Sequence, residues 1–140
     1  MSIQSLNPYI NFNGTADQAI AFYETALGAK VEQIMRFGDL PDMPVAPEHK
    51  RRVLHAALRV GQGVLMLSDG RPDQPVSVGN NSNVCLHFVD LLEMQKKFEA
   101  LARGGQTTVP IHDAFWGAKF GMLIDTFGVQ WMFIGGPKQG

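Results

Sequence analysis

Residues 9–28 read YINFNGTADQAIAFYETALG, and residues 85–104 read CLHFVDLLEMQKKFEALARG. Each stretch is an alternating run, then a helix start, then an apolar stripe, then a glycine stop. In the first, Tyr9-Ile10-Asn11-Phe12 alternates as a strand does. Thr15 and Gln18 have the spacing of a capping box. Ala16, Ala19, Ile20, Tyr23, Ala26 and Leu27 recur at helical spacing, and Gly28 ends the run. In the second, Cys85-Leu86-His87-Phe88 alternates, and Asp90 with Glu93 opens a helix. Met94, Phe98, Leu101 and Ala102 form its stripe, and Gly104-Gly105 stop it. The two helix starts lie about 75 positions apart, half the chain.

Strand candidates follow each helix: 30–37, 53–60 and 64–68 in the first half, 106–112, 120–124 and 130–134 in the second. The chain therefore reads as two copies of a strand–helix–strand–strand–strand unit. The repeat lies in the order of elements, with little identity in the letters. It predicts an α+β fold of two βαβββ modules, about 1–70 and 83–140, within one domain spanning 1–140. Residues 38–52, with Pro41, Pro44 and Pro47, and residues 70–83, with Pro72, Pro75 and Gly79, read as loops. The first is long for so small a domain, as lids and partner-contacting arms are.

Composition narrows the class. Of 140 residues, 45% are apolar and 18% charged, which is globular. Twelve basic residues against thirteen acidic ones give no surplus for nucleic acid or an anionic membrane. No apolar run nears the roughly 18 residues of a membrane span. The N-terminal residues have neither the basic flank nor the apolar core of a secretory signal. One cysteine, Cys85, permits no intrachain disulfide, which fits a reducing compartment, so the expectation is a cytoplasmic protein.

Strand parity sorts residues onto two faces. Ile10, Phe12, Leu54, Ala56, Leu58, Leu65, Leu67, Leu86 and Phe88 make one greasy face, suited to the helices. Tyr9, Asn11, Val53, His55, Ala57, Arg59, Met66, Cys85 and His87 make a mixed one. That mixed face is too apolar around His55 and Met66 for a fully wet surface, so it reads as the wall of a small-molecule cavity. No dinucleotide fingerprint, Walker-type loop or Gly-x-Ser-x-Gly elbow is present.

Several motifs carry a resemblance. They are Leu6-Asn7-Pro8-Tyr9-Ile10-Asn11-Phe12, Ala21-Phe22-Tyr23, His55-Ala56 with residues 64–69, Phe115-Trp116-Gly117, and residues 125–131. Together they resemble the PhnB-like branch of the vicinal oxygen chelate superfamily, the superfamily of glyoxalase I, bleomycin-resistance proteins and extradiol dioxygenases. The resemblance implies a cupped mixed sheet made by the two modules, usually in a homodimer. In metal-dependent members His and Glu side chains hold a divalent metal in the cup. Carried over, those positions fall at or near Asn7, on His55, on Cys85 or Val84, and at about Met132. Only His55 is then a good ligand for the hard or borderline metals of that chemistry.

The residues of interest follow. His55 reads as a polar anchor, an acid/base group, a metal ligand or a hydrogen-bonded structural histidine. A His55, His87 and Cys85 cluster would suit a soft metal. Cys85 itself, between Val84 and Leu86, is expected to be a buried inert thiol. Tyr9, Asn11, Met66, His87, Trp116 and Met132 join His55 as ligand-binding candidates, with no catalytic residue assigned. The expected role is a metal-free small-molecule-binding protein. The alternative is a metal-dependent lyase, isomerase or dioxygenase working on a small organic substrate.

Overall fold

A computed structural model of the protein describes residues 2–42, 44–114 and 117–136. The chain divides into two compact units, Met1–Ser77 and Val78–Gly140.

In the first unit, β1 (Tyr9–Asn11) leads into α1 (Ala16–Leu27), then β2 (Lys30–Arg36), β3 (Val53–Val60) and β4 (Gly63–Ser68). The sheet order is β1-β4-β3-β2, with β1 parallel to β4 and the other pairs antiparallel. Helix α1 packs on β3 and β2. Ala16, Ala19, Ile20, Tyr23 and Leu27 are buried against Ala56, Leu58, Leu65 and Leu67, the stripe and face that the sequence pattern assigns to the core. Gly28 adopts φ 72° and ends the helix, its amide donating to the Glu24 carbonyl.

The start of α1 differs from expectation. Thr15 makes no side-chain capping bond. The Ala16 amide instead donates to Oδ1 of Asp69, at the end of β4, over 2.9 Å. Oδ2 of Asp69 accepts from the Val53 amide at 2.9 Å. One buried carboxylate thus ties the start of α1 to the ends of β3 and β4, a tertiary cap in place of a local one. Val53, placed on the mixed face by parity, is fully buried; it lies beyond a bulge that breaks the β2–β3 register at Met35 and Arg36.

A short 3-10 turn, Phe37–Asp39, leads into the long 38–52 loop, which holds another, Pro47–His49. Its base is laced by Phe37 N donating to Arg52 O and Gly38 N to Lys50 O. Arg36 adds a bidentate pair to Asp17, both contacts at 2.9 Å, and a 2.7 Å bond to the Arg51 carbonyl. Loop and helix are therefore tied to the same side chain.

The second unit repeats the plan with β5 (Val84–Phe88), α2 (Leu91–Ala102), β6 (Gln106–Asp113), β7 (Lys119–Ile124) and β8 (Gln130–Gly135), in the order β5-β8-β7-β6. Asp90 caps α2 as its position predicts, accepting from the Leu92 and Glu93 amides. Met94, Phe98 and Leu101 are buried against Leu123, Trp131 and Phe133. Phe133 stacks on Phe88 and takes the edge of Phe98, with centroids 5.3 and 5.0 Å away. A Cβ on Gly121 would stand 3.0 Å from the Phe98 ring, so the glycine lets α2 lie close on β7. Asp125 organises the turn after β7: Oδ1 accepts from the Phe127 and Val129 amides, and Oδ2 from the Trp131 indole at 2.9 Å.

Candidate functional site

Register decides which side chains share a face. In the first unit Tyr9 stands opposite Met66, and Met66 opposite Ala57. Gln33 continues that row onto β2. His55 lies two residues from Ala57 along β3 and so shares its face; its own partner on β2 is Met35. Asn11, opposite Ser68, lies two residues from Tyr9 on the same face. Tyr9, Asn11, His55 and Met66 are thus brought to one side of one sheet.

Two of them touch. The Tyr9 hydroxyl lies 2.9 Å from His55 Nδ1, with ring centroids 5.5 Å apart. These residues sit on β1 and β3, which β4 separates, so the outer strand axes are about 10 Å apart. The Tyr9 ring therefore spans the sheet surface above β4 to reach the imidazole. It is 44% exposed, high for a large aromatic ring, while His55 and Met66 are half-buried. No bond to His55 Nε2 is made among the described residues. Met35 is a neighbour that sequence reasoning misses: its place opposite His55 follows only once the β2–β3 register is known.

In the second unit two rows cross the corresponding face. Cys85, Met132 and Met122 form one, on β5, β8 and β7. His87, Ile134, Phe120 and His112 form the other, from one edge strand to the opposite edge. His112 is exposed, sets its ring edge-on to Phe120 at 6.0 Å, and shares a 2.9 Å bond with the Pro110 carbonyl. His87 is exposed and Met132 half-buried. Trp116, and Phe115 beside it, lie outside the described residues.

Cys85 is exposed, not buried as its apolar neighbours in sequence suggest. The reason is its face: Val84 and Leu86 turn toward the helix layer with Trp131 and Phe133, which turns Cys85 the other way. Crowding by the sheet still desolvates the sulfur and pushes the thiol pKa up.

Comparison with known proteins places this architecture. The model of the Glyoxalase/Bleomycin resistance protein/Dioxygenase superfamily matches residues 5–133. The chain belongs to that superfamily. Protein YjdN of Escherichia coli strain K12 is 30% identical over 136 residues, which cover 91% of this chain and 92% of that protein. The crystal structure of protein PA1353 from Pseudomonas aeruginosa is similar with a TM-score of 0.84 and 36% identity, covering 95% of this chain and 98% of that one. The PhnB protein from Bacillus cereus reaches a TM-score of 0.74 at 21% identity, a likeness of fold alone.

The residues at the positions that the resemblance gives for metal ligands are a poor set for a hard divalent cation. The Asn7 amide is already engaged: Nδ2 donates to the Val64 carbonyl at 3.3 Å, and Oδ1 accepts from the Ser5 hydroxyl at 2.8 Å. His55 is the one good donor of the four, with Nδ1 on Tyr9 and no bond at Nε2 among the described residues. Cys85 offers a sulfur, which suits soft ions and not hard ones. Met132 offers a thioether, which suits soft ions. In neither unit do three or more His, Cys, Asp or Glu side chains gather among the described residues.

Proposed function

We propose that this protein binds a small organic molecule on the mixed faces of its sheets, with no divalent metal in the site. In this reading the protein works as a cytoplasmic homodimer. His55, Tyr9, Asn11 and Met66 from the first module, and His87, Met132 and Trp116 from the second, are the ligand contacts. The observation that carries the reading is the 2.9 Å bond between Tyr9 and His55. It makes an oriented polar pair among thioethers and an alanine, and a few convergent polar groups in an apolar wall are the usual form of a small-molecule site. Superfamily membership supports the same reading.

The donor set supports binding without metal-assisted turnover. Beside His55 the carried-over positions offer only a hydrogen-bonded amide, a thiol and a thioether, a poor set for a hard Lewis-acid cation. No helix among the described residues is long and apolar enough to cross a membrane.

The test is His55→Ala. A small-molecule fragment that binds the wild type should bind the variant at least about tenfold more weakly, a loss of about 1.4 kcal/mol. The melting temperature should move little, since a half-buried side chain on that face carries little core packing. Unchanged affinity in a folded variant refutes the assignment. So does a stoichiometric divalent metal, bound through His55, in protein purified without a histidine tag.

A further inference from the structure

The Tyr9–His55 contact has two chemically different forms. Either the phenol donates to a bare Nδ1, or an Nδ1–H donates to the phenol oxygen. They leave opposite groups at Nε2: a proton in the first form, a lone pair in the second. Donor and acceptor strengths separate them. The phenol is the stronger proton donor of the two groups. An imidazole nitrogen is in turn a stronger acceptor than a phenol oxygen, and Nδ1 of His55 is the atom that faces the Tyr9 hydroxyl at 2.9 Å. The first form pairs the stronger donor with the stronger acceptor and leaves an N–H at Nε2.

We infer that Tyr9 holds His55 as its Nε2–H tautomer, so that the site takes a small molecule presenting an acceptor oxygen, a carboxylate or a carbonyl, to that N–H. The inference rests on the small-molecule reading above and gives its ligand a chemistry. Tyr9 is then a positioning residue, acting through His55. The flanking groups fit the rest of such a molecule: Met35, Met66 and Ala57 offer an apolar surface, and thioethers make favourable contacts with aromatic rings. A bare nitrogen able to ligate a metal or accept a proton would require the tautomer to reverse and the Tyr9 bond to invert.

Long-range nitrogen–proton correlation spectra of the labelled protein, at mildly alkaline pH where an imidazole is neutral, report the tautomer directly. The wild type should show His55 protonated at Nε2 and bare at Nδ1. Tyr9→Phe, which keeps the ring, should lose that bias while the remaining amide spectrum stays in place. Three probes then read the ligand class: benzoate for the carboxylate, acetophenone for the carbonyl, and benzylamine as the cation without an acceptor. Benzoate or acetophenone should shift the His55 resonances and bind at least tenfold more tightly than benzylamine. His55→Gln, whose amide nitrogen stands near the Nε2 position, should keep part of the affinity that His55→Ala loses. A wild-type His55 protonated at Nδ1, or a bias unchanged in Tyr9→Phe, overturns the inference even if benzoate binds. Correct tautomer with no binding of either oxygen probe fails the ligand assignment instead, and with it the small-molecule reading on which it rests. Preference for benzylamine overturns the inference alone.

Discussion

Asp69 and Asp125 are buried carboxylates that the binding site does not use, and each replaces a missing backbone partner. Asp69→Ala would leave the Ala16 and Val53 amides unpaired, so it should cost about 2–4 kcal/mol. Urea midpoints check this, and Asp69→Asn should recover part of the loss. Cys85 allows a kinetic prediction. Its thiol is exposed but desolvated, so its pKa is raised. Since the thiolate is the nucleophile, alkylation by iodoacetamide near neutral pH should run slower than that of a free small thiol, and should accelerate only at higher pH. A rate equal to the free thiol's would contradict the desolvation. At this scale the sequence was partly legible. Parity put Tyr9, Asn11, His55 and Met66 on one face from alternation alone. It could not supply the Tyr9–His55 bond, which spans an intervening strand, nor Asp69 as the cap of α1, whose donor and acceptor lie 53 residues apart.

Elements were more legible than their junctions. The capped α2, the glycine stop of α1 and the eight strands of the described residues follow from periodicity, because each pattern is local in sequence. The bulges in β2–β3 and β6–β7 were not, since a register shift leaves no mark on composition. One of them explains why Val53 is buried against its parity. Close packing at junctions makes its own prediction. A Cβ on Gly105 would strike the Ile124 carbonyl and stand 2.8 Å from the Asp125 carbonyl carbon, backbone atoms that cannot swing aside. Gly105→Ala should therefore cost roughly 3 kcal/mol. Gly61→Ala, with open space around it, should show only the smaller strain of its positive φ. Equal losses at the two sites would mean that backbone conformation, and not the clash, sets the cost.

For the whole molecule, the order of elements was readable as a repeat, and the superfamily match agrees with it. The ligand was not readable, because specificity lies in a few side chains placed on a widely shared frame. A homodimer is expected, so light scattering at micromolar concentration should give twice the chain's mass; a monomer would remove that part of the proposal. The central claim is that the mixed face of the first sheet receives a small molecule through His55. Chemical-shift mapping with a fragment library tests it most directly. The account predicts that fragments which bind will perturb the amides of Tyr9, Asn11, His55 and Met66 together, and will lose that effect in His55→Ala. Perturbations confined to the helix-covered face around Leu58 and Leu67, or persisting unchanged in His55→Ala, would contradict it.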